Sequence, residues 1–328
     1  MAPPLLLAMG FGFEPSADAV RAFLAGLSLS KADVAATIAR SPRFLCCSVE
    51  ESLAPRVSQL RDIGFSTPQI ARLVPLVPHA FVSPAYVSRL ALFLSFFGSF
   101  DRLHAAIRRD ARLLTRSVER VVEPKVALLR QCGLAARDIA YVVSLAPRQF
   151  AGSQERLEAA IARAEELGVP RGTPMFRHAL VVAYTVRWEN ATSKMELLKS
   201  LGWSSSQVAM AVAKMPCILS SSEDRLRRAI SFLTKDAGME VEAIARGPAL
   251  LKFSIEQRLA PRLKVLKLLK EQGLRLGDRA FYPVACMSSE AFLNKFVRPH
   301  AMILPPVLIG ACGDATARGG EAPAGTAS

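Results

Sequence analysis

Glycine recurs in this chain at a beat that few folds can follow. Gly64, Gly98, Gly133, Gly168, Gly202, Gly238 and Gly273 are separated, by subtraction, by 34, 35, 35, 34, 36 and 35 residues. A period of that length marks a stack of supersecondary units, none of which can bury its apolar face alone. The stretch Pro42 to Pro78 shows what one unit contains. Pro42 breaks a helix, and Ser48 with Glu51 has the form of a capping box that opens the next. Leu53, Val57, Leu60 and Ile63 then step along one helical face until Gly64 supplies a left-handed stop. Ser66 opens a second helix through Ile70, Ala71 and Val74.

Other columns keep the register. Ser-apolar-Glu recurs at Ser48, Ser117 and Ser254, and seven residues later stands proline with a basic residue: Pro55-Arg56, Pro124-Lys125, Pro261-Arg262. An apolar-Ala pair follows the glycine at Ile70-Ala71, Ile139-Ala140, Val208-Ala209 and Ile244-Ala245. The expected fold is therefore all-α: a superhelical solenoid of about seven helix-turn-helix repeats of ~35 residues. The repeats should occupy residues 27–283, beginning with a half unit from Leu27 to Pro42. Residues 1–26 read as an N-terminal segment without a clear transit peptide, 284–312 as C-terminal capping helices, and 313–328 as a disordered tail. The unit between Gly168 and Val186 keeps the rhythm and loses the motif.

No run approaches the roughly 18 apolar residues of a membrane span, so a soluble monomer with no membrane partner is expected. Six cysteines without C-x-x-C or histidine partners read as small hydrophobes in a reducing compartment. Catalysis lacks parts. The four histidines, His79, His104, His178 and His300, fall in different units, and no nucleophile elbow, zinc-binding helix or phosphate loop is present. The chain is expected to be no enzyme and to need no cofactor or metal.

Charge supplies the functional signal. Against 28 acidic residues stand 42 Lys and Arg, a net charge of +14, which favours polyanionic partners. These cations recur in register. One column lies early in the first helices: Arg56, Arg89, Lys125, Lys194, Arg228 and Arg262. Another flanks the breaks: Arg40, Arg43, Arg109, Arg112, Arg148, Lys214, Arg246 and Lys252. Equivalent positions in stacked repeats share a surface, so each column would form a stripe suited to a phosphate backbone. The plain alternative is a solvated helix face, since Arg and Lys are good helix formers.

The unit pattern resembles the repeat of the mitochondrial transcription termination factor (mTERF) family, over roughly Leu27 to Pro283. The likeness is clearest in IGFSTPQIARLVPLVP after Asp62, PKVALLRQCGLAARDIAYVVSLAP from Pro124, and LGWSSSQVAMAVAKMPCIL from Leu201, the last in a plant-type form. The resemblance implies a left-handed superhelix with a short 3₁₀ turn between repeats. It also implies binding of duplex DNA, or in some members RNA, inside mitochondria or chloroplasts. Transcription termination or its control is the implied activity, with intron splicing or ribosome assembly as the RNA alternative. A protein-interaction solenoid that binds no nucleic acid is the remaining reading.

Overall fold

The computed structural model describes residues 14–273 and 281–317. Every regular element among them is helical, as the all-α repeat reading requires. The chain forms two compact units, Met1–Ala159 and Ala160–Ser328.

In the first unit the repeats are built from two helices and a break, the pair Pro84–Phe97 and Phe100–Arg109 being bent by 115°. Val49–Leu53 and Ala54–Asp62 make one first helix, Thr67–Leu73 the second, and Pro78–Phe81 the 3₁₀ break. Pro84–Phe97, Phe100–Arg109 and Ala111–Thr115 form the next repeat. Val118–Val122 with Glu123–Gln131, then Ala136–Leu145 and Pro147–Phe150, form the third. Leu60, Ile70, Leu90, Leu103, Leu129 and Ile139 are fully buried between neighbouring helices.

Each template repeat starts its first helix with a wide π turn, at Val49–Leu53, Val118–Val122 and Ile255–Leu259. The cause lies two residues further on. Pro55, Pro124 and Pro261 have no N–H to donate, and their rings would crowd the carbonyl four residues back. Widening the preceding turn makes room: Leu53 N reaches Ser48 O at 3.2 Å and Leu259 N reaches Ser254 O at 3.0 Å, five residues back in both cases. Ser48, Ser117 and Ser254 cap these turns by accepting from the amide three residues on. The reciprocal capping box expected at Ser48 appears instead at Ser204, which accepts from Gln207 N and donates its own amide to Gln207 Oε1.

All seven glycines of the repeat column adopt positive φ, between +64° at Gly238 and +98° at Gly64. Ser28 is the one non-glycine residue at positive φ among the described residues, at +65°. It stands 36 residues before Gly64, by subtraction, and so occupies the same turn. The half unit is thereby completed upstream: helix Glu14–Gly26 buries Val20 and Leu24 and turns through Ser28 into helix Lys31–Arg40. The repeats therefore begin before residue 27; residues 1–13 of the expected N-terminal segment lie outside the described residues.

The second unit keeps the pattern with two departures. Phe176–Thr185 is followed by Trp188–Ser200 with no 3₁₀ break between them, the structural counterpart of the lost motif. Helix Val241–Arg246 has 6 residues where Ser205–Lys214 has 10, a loss of about one turn that keeps the buried face in phase. A core through Leu198, Trp203, Leu219, Leu226 and Leu250 serves these repeats. A separate cluster of Val265, Phe292, Phe296, Leu304 and Leu308 holds the C-terminal helices. Helix Pro306–Ala317 runs into the stretch expected to be disordered, and residues 318–328 of that tail lie outside the described residues.

Candidate nucleic-acid interface

The two basic columns have different fates. In the first, the side chains turn toward the next repeat. Lys125 is 2% exposed, with Nζ 2.6 Å from Phe150 O and 2.5 Å from Gly152 O. Lys194 Nζ donates to Leu219 O at 2.6 Å and Arg89 Nη1 to Leu114 O at 2.9 Å. These three reach a carbonyl 25 residues further along the chain. The targets lie at the C-terminal ends of break helices, where carbonyls lack intrahelical partners and a positive charge is favoured.

Arg262, 4% exposed, donates to Val284 O at 2.8 Å, Ala285 O at 3.1 Å and Met287 O at 2.6 Å. Its guanidinium also lies 4.7 Å from the centre of the Phe292 ring. Burial, aided by the neighbouring charge of Arg258, pushes its pKa down to about 10. Burial likewise lowers the Lys125 pKa, with the charge of Arg116 adding to it.

Two members of that column do something else. Arg228 is exposed and pairs with Asp224 and Glu256 at 3.3 and 3.4 Å. In its repeat the staple is made by Arg225, one turn earlier, which donates to Lys252 O at 2.6 Å. Arg258 plays the same part beside Arg262, donating to Ala285 O and Met287 O. Neither Arg225 nor Arg258 was among the expected residues; each follows a capping serine by three or four positions, which was the available signal. Arg56 is half-buried, bonded to Gln59, and its Nε has no partner.

The column at the breaks stays near solvent. Arg40 Nη1 donates to Leu76 O at 2.8 Å, Arg109 to Ser144 O, and Lys214 to Arg246 O at 3.1 Å, each with an exposed head. Each bond uses one donor of several, so further N–H groups remain for a ligand. Arg43 and Arg148 are exposed. Arg246 pairs with Glu242 at 3.1 Å, and half-buried Lys252 approaches Ser221 Oγ at 3.3 Å.

One place in the first unit gathers these cations. Arg40, Arg109 and Arg112 line a cleft of about 400 Å³, joined by Arg108 and flanked by His79 and Tyr86. The second helices Lys31–Arg40 and Phe100–Arg109, one repeat apart on either side of Thr67–Leu73, and the break Ala111–Thr115 supply the four guanidiniums. Asp110 is the acidic member of the lining; it grips Arg112 with both carboxylate oxygens and also caps the break helix by accepting from Arg112 N at 2.9 Å. The hydrogen bonds from Arg112 hold its pKa below the usual carboxylate range.

An adjoining hollow of about 670 Å³ shares Leu76 and Arg108 with the cleft. His104 stands on its wall, stacked 5.4 Å from Phe100, with Nδ1 3.3 Å from Arg72 Nη2. Burial, with Arg72 and Arg108 nearby, lowers the His104 pKa. The arrangement suits an extended polyanion: charges with spare donors converge from two repeats across the one between them.

Sequence comparison agrees with the repeat architecture. The mTERF family model matches residues 16–293. Over 242 residues the chain is 23% identical to transcription termination factor MTERF8, chloroplastic, of Arabidopsis thaliana, covering 72% of this chain and 48% of that protein. Over 110 residues it is 24% identical to transcription termination factor MTEF18, mitochondrial, of the same plant, covering 34% and 20% respectively. The chain spans about half the length, or less, of the curated relatives it matches. With the family pattern running through nearly all of its described repeats, the chain belongs to the mTERF family.

Proposed function

We propose that this protein binds nucleic acid in a mitochondrion or chloroplast and regulates transcription there, with duplex DNA as its preferred ligand and a monomer as the binding form. The observation that carries the reading is the cleft where Arg40, Arg108, Arg109 and Arg112 meet. Phosphates would sit against these guanidiniums, each releasing condensed counterion from the nucleic acid. A protein held in this way across the template would obstruct a polymerase. The names of the two plant relatives, both transcription termination factors and both organellar, support the same direction.

Fluorescence anisotropy with duplex DNA and single-stranded RNA, each across a salt series, tests it. Submicromolar binding to duplex DNA is expected, with a log-log salt slope of about −0.9 per phosphate contact. Preference for single-stranded RNA would transfer the reading to splicing or ribosome assembly. Binding to neither would leave a protein-interaction solenoid.

A further inference from the structure

The end of the second unit presents an apolar surface that nothing in the nucleic-acid reading uses. Met302 is 99% exposed, Val307 85% and Ile303 45%. Ala301, Pro305 and Pro306 between and beside them are exposed too, and no charged residue occurs from 301 to 312. This surface is held in place. Leu304 and Leu308, 3% and 7% exposed, anchor the same segment in the cluster around Phe292 and Phe296. Inward and outward apolar side chains thus alternate on one supported turn, and a contiguous exposed apolar patch of this kind marks an interaction site.

We infer that this turn inserts into the surface of an anionic lipid bilayer. Area and charge choose the occupant. Three side chains fall well short of the roughly 800 Å² per partner that a stable dimer buries. A second copy would also bring one +14 chain against another. Anionic headgroups instead complement the protein: Lys295 stands exposed just before the apolar turn, and exposed Arg298, paired with Glu290 at 2.9 Å, keeps further N–H donors for a lipid phosphate. Since no single helix among the described residues is long and apolar enough to cross a membrane, the contact is peripheral. The apolar run from Met302 to Ile309 is far shorter than a membrane span and is interrupted by Pro305 and Pro306.

The test is co-sedimentation of the full chain, free of nucleic acid, with vesicles of phosphatidylcholine alone or mixed equally with phosphatidylglycerol. Sedimentation with the mixed vesicles is expected, and M302S/V307S should weaken partitioning by at least about tenfold. Both sites are exposed, so the variant keeps its fold and its binding to duplex DNA. Failure to sediment with the anionic vesicles overturns the inference. So does undiminished sedimentation of M302S/V307S, which would assign the binding to charge alone, or equal sedimentation with neutral vesicles. A dimer in light scattering that M302S/V307S dissolves would give the patch to a second copy. None of these outcomes depends on whether the protein binds DNA.

Discussion

A basic side chain in a repeat protein can serve the stack or the ligand, and Lys125 and Arg262 serve the stack. Periodicity shows that a cation recurs; it says nothing of where a four-carbon stem carries the head. The receiving carbonyls lie 25 residues away for Lys125, a distance no local pattern reports. Lys125→Ala would leave the Phe150 and Gly152 carbonyls without that donor and open a cavity, costing about 2–4 kcal/mol. Urea unfolding should show the loss, while the salt slope of nucleic-acid binding stays that of the parent. A charge reversal at Lys125 or Arg262 is accordingly expected to unfold the protein before it reports on any ligand. His104 offers a second measurement. Because its folded pKa is lowered, the unfolded chain takes up a proton near 6.5 while the folded chain resists until lower pH. Its contribution is therefore full above that range and is lost as pH falls below about 6.5 toward the lowered folded value. His104→Gln should flatten the dependence of the unfolding midpoint on pH in that window; an unchanged profile would remove His104 as its source.

At the scale of the element, the sequence was most legible where backbone geometry dictates residue type. The glycine column announced seven left-handed turns from Gly64 to Gly273 because other residues pay a steric cost there; Gly172, at φ +75°, makes a further one outside the column. Ser28 hid one turn by accepting that strain, and the helix before it was not legible because Pro15 of Glu14–Gly26 is followed by Ser16 instead of a basic residue and preceded seven positions earlier by Ala8 instead of a serine. Ser28→Gly should stabilise the first unit by about 1 kcal/mol by relieving the positive φ. The converse holds at Gly202. A Cβ there would meet nothing within 4 Å, so any cost of Gly202→Ala arises from φ +92° and not from crowding. A loss of about 1–2 kcal/mol is expected, and Gly202→Asn should recover part of it. Equal stability of the alanine and asparagine variants by thermal unfolding would count against a conformational origin. The π turns were not legible, since proline in the sequence forbids one hydrogen bond without stating which wider one replaces it.

Over the whole molecule, a net charge of +14 divides into cations committed to carbonyls and carboxylates and cations with donors to spare. In the second unit Lys194, Lys214, Arg225, Arg228, Arg246, Lys252 and Arg262 all have partners within the protein. The first unit keeps Arg108 and Arg112 at a cleft with neither bound to a neighbouring repeat's carbonyl. That distinction selects the variant that tests the interface without disturbing the stack. R108Q/R112Q removes two cleft charges and leaves the staples of Arg40 and Arg109 in place. If both contact phosphate, duplex affinity should drop and the magnitude of the log-log salt slope should fall by about 1.8, at 0.9 for each contact. The urea midpoint should fall only modestly, because Asp110, its side chain 8% exposed, loses the exposed guanidinium of Arg112 and keeps its hydrogen bond from the backbone amide at 112. A slope equal to the parent's, with affinity intact, would place the nucleic acid somewhere other than this cleft. A changed slope in Lys125→Ala, with R108Q/R112Q silent, would return the interface to the first-helix column that the sequence proposed and that the structure buries at Lys125 and Arg262.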